Sequence, residues 1–326
     1  MSTPLRIATF NIENLTDEPP EDARREPTFE ERVAVLRPQL ERLRADVLCL
    51  QEVHGQEEPT RLRALESLLE GTRYEPFQQA ATKTSQGDNY KERNLAVLSR
   101  FPISESRQLR HDITPQPEYK KVTAQPEEPA KPITWERPVL YARIALPDGS
   151  DLHVVNLHLK SKIPTPVAGQ KEGFAWKSVA GWAEGYFLSS VKRVGQALEA
   201  RMFIDSLFDA EPEARVIVCG DFNADLDAVP IEAIRGRVEN TENFELIGRV
   251  MLPAETTVPE PSRYSLFHHG KEQMLDHLLA SRSMLAFYRH TEVHNEQIHD
   301  ESVAFAFDKK FPESDHAAVI TEFSLP

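Results

Sequence analysis

The sequence predicts an α/β domain, and three observations carry that prediction. Short strand-like runs rich in Val, Ile and Leu recur along the whole chain. Helical spacings fall between them. No linker, internal repeat or low-complexity tract divides one stretch from the next. The chain has 326 residues, 40% of them hydrophobic, which is enough for one large core. A single domain over 1–326 is expected, with loop insertions near 111–135 and 161–185.

Strands are expected over 5–11, 46–51, 94–99, 139–146, 151–158, 215–220, 275–280 and 317–323. Asp148-Gly149, between Ile144 and Leu152, predicts a hairpin turn. Phe29, Val33, Leu36, Leu40 and Leu43 recur at three-to-four spacing and predict a helix, which Pro38 is expected to kink. Leu62, Leu65 and Leu69 mark a second helix. Val191, Val194, Leu198 and Met202 mark a third. Pro230 followed by Gly236 brackets a short fourth. Residues 111–135 carry five prolines, and 161–185 mix Lys, Gly and Pro; both are expected to be irregular loops.

Composition narrows the setting. No apolar run reaches the roughly 18 residues of a membrane span. The N-terminus enters a strand-like pattern without the charged and apolar regions of a signal peptide. Cys49 and Cys219 both sit inside apolar runs and read as reduced, buried thiols. A cytoplasmic protein is expected. The net charge of −14 argues against tight, non-specific binding of nucleic acid. It leaves room for an enzyme that handles a polyanion with a few local cations and a metal.

The informative residues are the polar ones at the strand boundaries. RIATFN ends on Asn11, DVLCLQE on Glu52 and LHVVNLH on His158. RVIVCGDFN ends on Asp221 and Asn223. Asp276 opens the strand after QML, and Asp315 and His316 precede the last one. Singly, each is ordinary: a turn former, a solvated carboxylate or a structural histidine. Together they are the inventory of a metal-assisted hydrolase.

The same motifs carry a family resemblance. TFNIENL, LCLQEV, NYKERNLAVLSR, ERPVLYARI, VVNLHLKS, GDFNAD, LDHLL and SDHAAV stand in the order found in the endonuclease/exonuclease/phosphatase superfamily. YKER and GDFNAD most resemble the pancreatic-type deoxyribonucleases. The resemblance implies a four-layer α/β/β/α sandwich, two packed mixed sheets flanked by helices, with the site at one edge of the sheets. It implies that Glu52 is the principal ligand of a divalent metal, Mg²⁺ first and Mn²⁺ or Ca²⁺ as alternatives. Asn11 lies near that metal. Asp315 either serves it or orients its neighbours. His158 and His316 flank the scissile phosphate, paired with the acids Glu92 and Asp276 respectively, an arrangement suited to general acid–base work. Asp221 positions or deprotonates water, with the base shared between Asp221 and His316, and Asn223 donates to the phosphoryl oxygen. Arg137 holds a phosphate. Asp225 takes no part and reads as a turn residue.

Two departures bear on the substrate. The pancreatic-type enzymes place an arginine two residues after the metal-ligating Glu, where this chain has His54. Tyr90, used beside that arginine, is retained. Losing the arginine weakens the inference to duplex DNA. The disulfides of secreted members are not matched by these two cysteines, and no apolar membrane-inserting hairpin of the lipid-active members is evident. The expected activity is hydrolysis of phosphodiesters by a metal-dependent nuclease, an endonuclease on DNA being favoured. The alternative is a phosphatase or phosphodiesterase on a small organophosphate, nucleotide, phosphoinositide or phospholipid. No obligate protein partner is evident. Lys160 and Lys162 read equally as further phosphate contacts or as ordinary surface lysines.

Overall fold

The computed structural model describes residues 3–22, 24–56, 59–307 and 310–326. Twelve strands form two mixed six-stranded sheets. In chain order they are β1 (Thr3–Leu15), β2 (Val47–Val53), β3 (Gln78–Ala81), β4 (Asn94–Ser99), β5 (Ile103–Leu109), β6 (Val139–Ala145), β7 (Asp151–His158), β8 (Arg215–Asp221), β9 (Met251–Pro253), β10 (Asp276–Ser281), β11 (Tyr288–His294) and β12 (Ala318–Leu325). The first sheet runs β11-β12-β1-β2-β4-β3 and the second β9-β10-β8-β7-β6-β5. Each contains one parallel pair, β1 with β2 and β7 with β8. A long helix crosses over within each pair: α1 (Phe29–Leu43) in the first sheet and α3 (Val179–Ala210) in the second.

Alternation along the strands sorts residues into layers. Ile7, Cys49, Val97, Val154, Ile217, Cys219 and Leu278 face inward, and the sheets meet through them. Ala8, Leu48 and Leu50 face outward beneath α1 and α2 (Arg63–Leu69). Tyr141, Val155 and Val218 face outward beneath α3 and α4 (Val229–Arg235). Burial on both faces explains why the central runs read as continuous apolar stretches. The result is the expected α/β/β/α sandwich, and both cysteines are free and buried in its central layer.

All eight expected strands are present. The four that the pattern did not reveal, β3, β5, β9 and β11, are the four sheet edges. Edge strands are half solvated and need no apolar alternation. The helix ends follow their signals. Thr28 and Glu31 form a capping box on α1. Pro230 opens α4 and Gly236 closes it in the left-handed conformation. Helix α1 continues through Pro38, which lies on its exposed face.

Helix α3 corrects the reading of its core face. It starts at Val179, inside the stretch expected to be irregular. Leu198 and Met202 are 49% and 42% exposed, whereas Glu199, Ala200, Phe203 and Ile204 are buried. The buried Glu199 carboxylate accepts from Trp135 Nε1 at 2.7 Å and from the amides of His111 and Ile113. A polar residue thus tethers the first insertion to the helix, which an apolar periodicity cannot reveal. The two insertions pack on each other around Ala124, Ile133, Trp135, Val167 and Leu188.

Candidate active site

The site lies where strand ends from both sheets meet. In the second sheet, register puts Asp221 opposite His158 on one side and Asp276 on the other. Gly220 makes this approach possible. Its φ is +138°, and a Cβ there would fall 1.9 Å from the Leu157 carbonyl oxygen. From the first sheet, Asn11 Nδ2 reaches Asp221 Oδ2 at 3.1 Å. Just below, Gln51 Nε2 donates to Asn156 Oδ1 at 2.7 Å, and Asn156 Nδ2 donates to the Leu50 and Ala96 carbonyls. These buried amides fix how the two halves of the pocket face each other. Sequence reasoning did not single them out, although Gln51 and Asn156 stand inside LCLQEV and VVNLHLKS.

Asp221 is saturated with donors. Besides Asn11 it accepts from the Asn223 amide at 2.8 Å, from Asn223 Nδ2 at 2.9 Å and from His158 Nε2 at 3.3 Å. Burial alone would raise its pKa, but the His316 charge and the hydrogen bonds from His158 and Asn223 hold it far below the usual carboxylate range. Asn223 sits at φ 49°, which asparagine tolerates. Both of its amide hydrogens are engaged, by Asp221 and by the Leu159 carbonyl at 3.1 Å. An incoming acceptor would have to displace one of them.

His316 and Asp276 meet at 2.6 Å through Nδ1 and Oδ2. Burial would lower His316, but Asp276, Asp315 and Asp221 together push it well above its ordinary value. Asp276 is buried; its backbone amide donates to Ser265 Oγ, and its Oδ1 is left without a partner. One atom each of Asp221, Asp276 and His316 lie within 4.8 Å of one another.

His158 departs from expectation. Glu92 is exposed, and among the described residues no hydrogen bond joins it to His158. The loop that carries YKER turns this acid outward. The carboxylates that face His158 Nε2 are Asp221 and Glu52, the latter at 3.5 Å. Nδ1 is buried without a partner. Burial and the Arg137 charge push His158 below its ordinary value. The neutral tautomer with hydrogen on Nε2 satisfies this geometry, because an unpaired lone pair costs less than an unpaired N–H.

Glu52 stands on a bulge of β2 at φ 62°. Its Oε2 accepts the Asn14 amide at 3.0 Å. Burial would raise it, but the Arg137, Arg93 and His316 charges hold it below its ordinary value. Arg137 is buried, with one terminal nitrogen unpartnered. Its charge acts on Glu52 and Asp221. An orphaned guanidinium nitrogen beside carboxylates is a ready donor for a phosphate oxygen.

Glu52, Asp315 and Glu13 offer the oxygen donors that a hard divalent cation prefers, although among the described residues they do not close to the 4.8 Å range of the Asp221–Asp276–His316 group. Beside Glu52 stand Asp315, whose Oδ1 is buried without a hydrogen bond, and Glu13, whose Oε2 accepts the Asp315 amide at 3.2 Å. Burial and the Glu301, Glu52 and Asp221 charges push Asp315 up to about 6, and burial and the Asp315 charge push Glu13 up to about 8, a crowding of charge that a cation would relieve. Glu13 was not foreseen; it follows Asn11 by two in a segment that bends out of regular extended geometry. Asn11 has a further role in the fold. Its Oδ1 accepts the Glu13 amide at 3.0 Å and its nitrogen binds Asp221, so it bridges the sheets. The Asp221–Asp276–His316 trio is less suited to a metal, since two of its members are already bonded to each other.

Around the rim, His54 Nε2 meets Asn14 Oδ1 at 3.2 Å, and burial lowers its pKa. The Tyr90 ring lies under Arg110 at 5.9 Å. Asp225 is exposed and pairs with Lys162 at 3.1 Å, away from the proposed chemistry. Behind the site, buried His277 links Glu255 at 2.6 Å to the Ala224 carbonyl at 2.8 Å, bracing the loop that carries Asn223.

Residues 8–316 match the model of the Endonuclease/Exonuclease/phosphatase family. The chain belongs to that family. Family members hydrolyse phosphate esters and typically depend on divalent metals. The fold resembles that of an endonuclease/exonuclease/phosphatase family protein from Bacteroides thetaiotaomicron, with a TM-score of 0.61 and 17% identity over 100% of this chain and 96% of that one. It also resembles truncated TDP2 from Caenorhabditis elegans, at 0.57 and 14% over 98% of each. The 3′ phosphatase NExo from Neisseria, bound to a product DNA hairpin, aligns at 0.54 and 16% over 98% of this chain and 99% of that one. No curated protein matches the chain. Among the described residues no helix is long and apolar enough to cross a membrane.

Proposed function

We propose that this family member is a divalent-metal-dependent phosphodiesterase, and that its substrate is a nucleic acid, with DNA favoured and endonucleolytic attack preferred. One observation carries the reading: a donor-saturated Asp221 lies within 4.8 Å of a His316–Asp276 dyad. Asp221, ionised and fixed by Asn11 and Asn223, orients the attacking water. His316, protonated at neutral pH, presents its Nε2 hydrogen to the oxygen that gains charge or leaves. His158 contributes a neutral Nε2–H beside Asp221. Arg137 supplies a charged donor to a non-bridging phosphate oxygen. Glu52 would hold the metal, with Asp315 and Glu13 beside it. When bound, that ion polarises the phosphoryl oxygen as a Lewis acid. This division separates roles that the sequence left shared between Asp221 and His316.

A small phosphate ester is the second reading, favoured by the net charge of −14 and by His54 in the arginine position. The deciding experiment incubates the wild type and His316→Ala with plasmid DNA, single-stranded DNA and a panel of small organophosphates. Each is run with Mg²⁺, Mn²⁺, Ca²⁺ or EDTA. The proposal expects DNA cleavage that EDTA abolishes and His316→Ala suppresses. Phosphate release from the panel with intact DNA would replace it with the second reading.

A further inference from the structure

Residues 160–193 carry six lysines and arginines against two glutamates, in a chain of net charge −14. This segment begins two residues past His158 and is tied to the site. The Leu159 amide donates to the Asp221 carbonyl at 2.9 Å, and its carbonyl accepts from Asn223.

The same segment exposes aromatic rings. Lys171–Glu172 and Ala175–Trp176 form a two-stranded hairpin in which Phe174 is 99% exposed. Trp182 and Tyr186, one turn apart on α3, stack at 5.5 Å with 21° between their planes. They remain 43% and 41% exposed. Lys171 lies over the Trp176 ring at 5.5 Å. Between the insertions runs a groove of about 270 Å³, lined among others by Tyr119, Lys121, Lys131 and Lys192. Lys192 pairs at 3.1 Å with Glu136, the chain neighbour of Arg137. Lysines and rings therefore recur along the insertions, with Lys121 and Lys131 already paired with Glu128 and Lys192 with Glu136.

Rings left uncovered on a solvated face need a reason. Trp182 and Tyr186 share their face of α3 with exposed Val179, Phe174 projects from the neighbouring hairpin, and lysines flank this group, Lys171 and Lys177 before it and Lys192 after it. An unpaired nucleic-acid strand has the matching chemistry: a π-face on every base and a repeating negative charge. A duplex stacks its bases on each other and offers no such face. We propose that residues 160–193 form a platform for an unpaired nucleic-acid strand entering or leaving the catalytic pocket. Phe174, Trp182 and Tyr186 stack on bases, and Lys171 and Lys177 meet the backbone. This rests on the nucleic-acid reading of the site and specifies the strand form it takes.

The test is binding of the full-length protein, in EDTA, to a labelled oligothymidylate, to a blunt duplex of equal length, and to phosphatidylcholine–phosphatidylglycerol vesicles. The single strand is expected to bind about tenfold tighter than the duplex, and Trp182→Ala to weaken it about fivefold or more. Lys171→Gln with Lys177→Gln is expected to lower the slope of log Kd against log salt by about 0.7 for each phosphate no longer neutralised. All these side chains except half-buried Lys171 are exposed, so the variants keep the fold. Equal affinity for both DNA forms, indifference to Trp182→Ala, or vesicle binding that depends on Phe174 overturns the proposal. Because binding is read without turnover, the two readings fail separately. Ester hydrolysis without ring-dependent binding sinks the platform. Strand binding without any hydrolysis sinks the catalytic assignment.

Discussion

The two histidines of the pocket are the same residue type, yet their environments push them in opposite directions. His316 meets Asp276 at 2.6 Å and feels two further carboxylates. His158 meets two carboxylates only at longer range and has the Arg137 cation as a neighbour. Burial disfavours the charged form in both. What differs is whether a close, well-aligned carboxylate repays that cost. The pocket is therefore asymmetric: one wall carries a cationic acid, the other a neutral donor.

The strongest attack on this comparison is His316→Ala. It is expected to lower kcat roughly 10²–10⁴-fold, the range for loss of a general acid. A drop of similar size in His158→Ala alone, with His316→Ala near wild type, would reverse the assignment.

Asp276→Asn weakens the same wall less, by about tenfold near neutral pH. Its more telling effect is on the pH profile. His316 is raised, so its imidazolium disappears as pH rises through that raised value. Without the Asp276 charge it disappears sooner, and the alkaline limb should move to lower pH.

Arg137→Gln acts on the opposite wall. Losing a charge-assisted hydrogen bond to phosphate should raise KM about tenfold. It also frees His158 from a like charge, so His158 takes up a proton at higher pH. The acid limb should therefore move upward. An unmoved limb would detach Arg137 from His158.

Glu92→Gln is expected to have the smallest effect, within about twofold, as for surface changes that touch no buried feature. A large loss of kcat would mean that Glu92 swings onto His158 after all, as the resemblance to pancreatic-type deoxyribonucleases implied.

Much of the fold was legible in the chain because it is written in burial. Every inner strand announced itself as an apolar run, since both of its faces are covered. The edge strands did not, because Tyr288–His294 and Ile103–Leu109 are half solvated and carry polar residues. The site was legible as a roster. Asn11, Glu52, His158, Asp221, Asp276 and His316 break apolar patterns in ways a core does not need. Glu13 and Glu199 escaped because a carboxylate near a charged or apolar stretch looks ordinary until its neighbours are known.

The sequence by itself determined the inner strands, the order of the polar motifs along the chain and, through the family resemblance those motifs carry, the expected four-layer arrangement. Local burial preferences, turn residues and motif order suffice for those. Only the tertiary structure decided the surroundings of each group. Charge state, tautomer and hydrogen-bond direction depend on through-space distances of a few ångströms between residues far apart in the chain. Asp221 and Asn11 are 210 residues apart in sequence, yet their side chains meet at 3.1 Å. That separation is why Glu92 left the site, Asn11 became a bridge, and two like histidines came to differ.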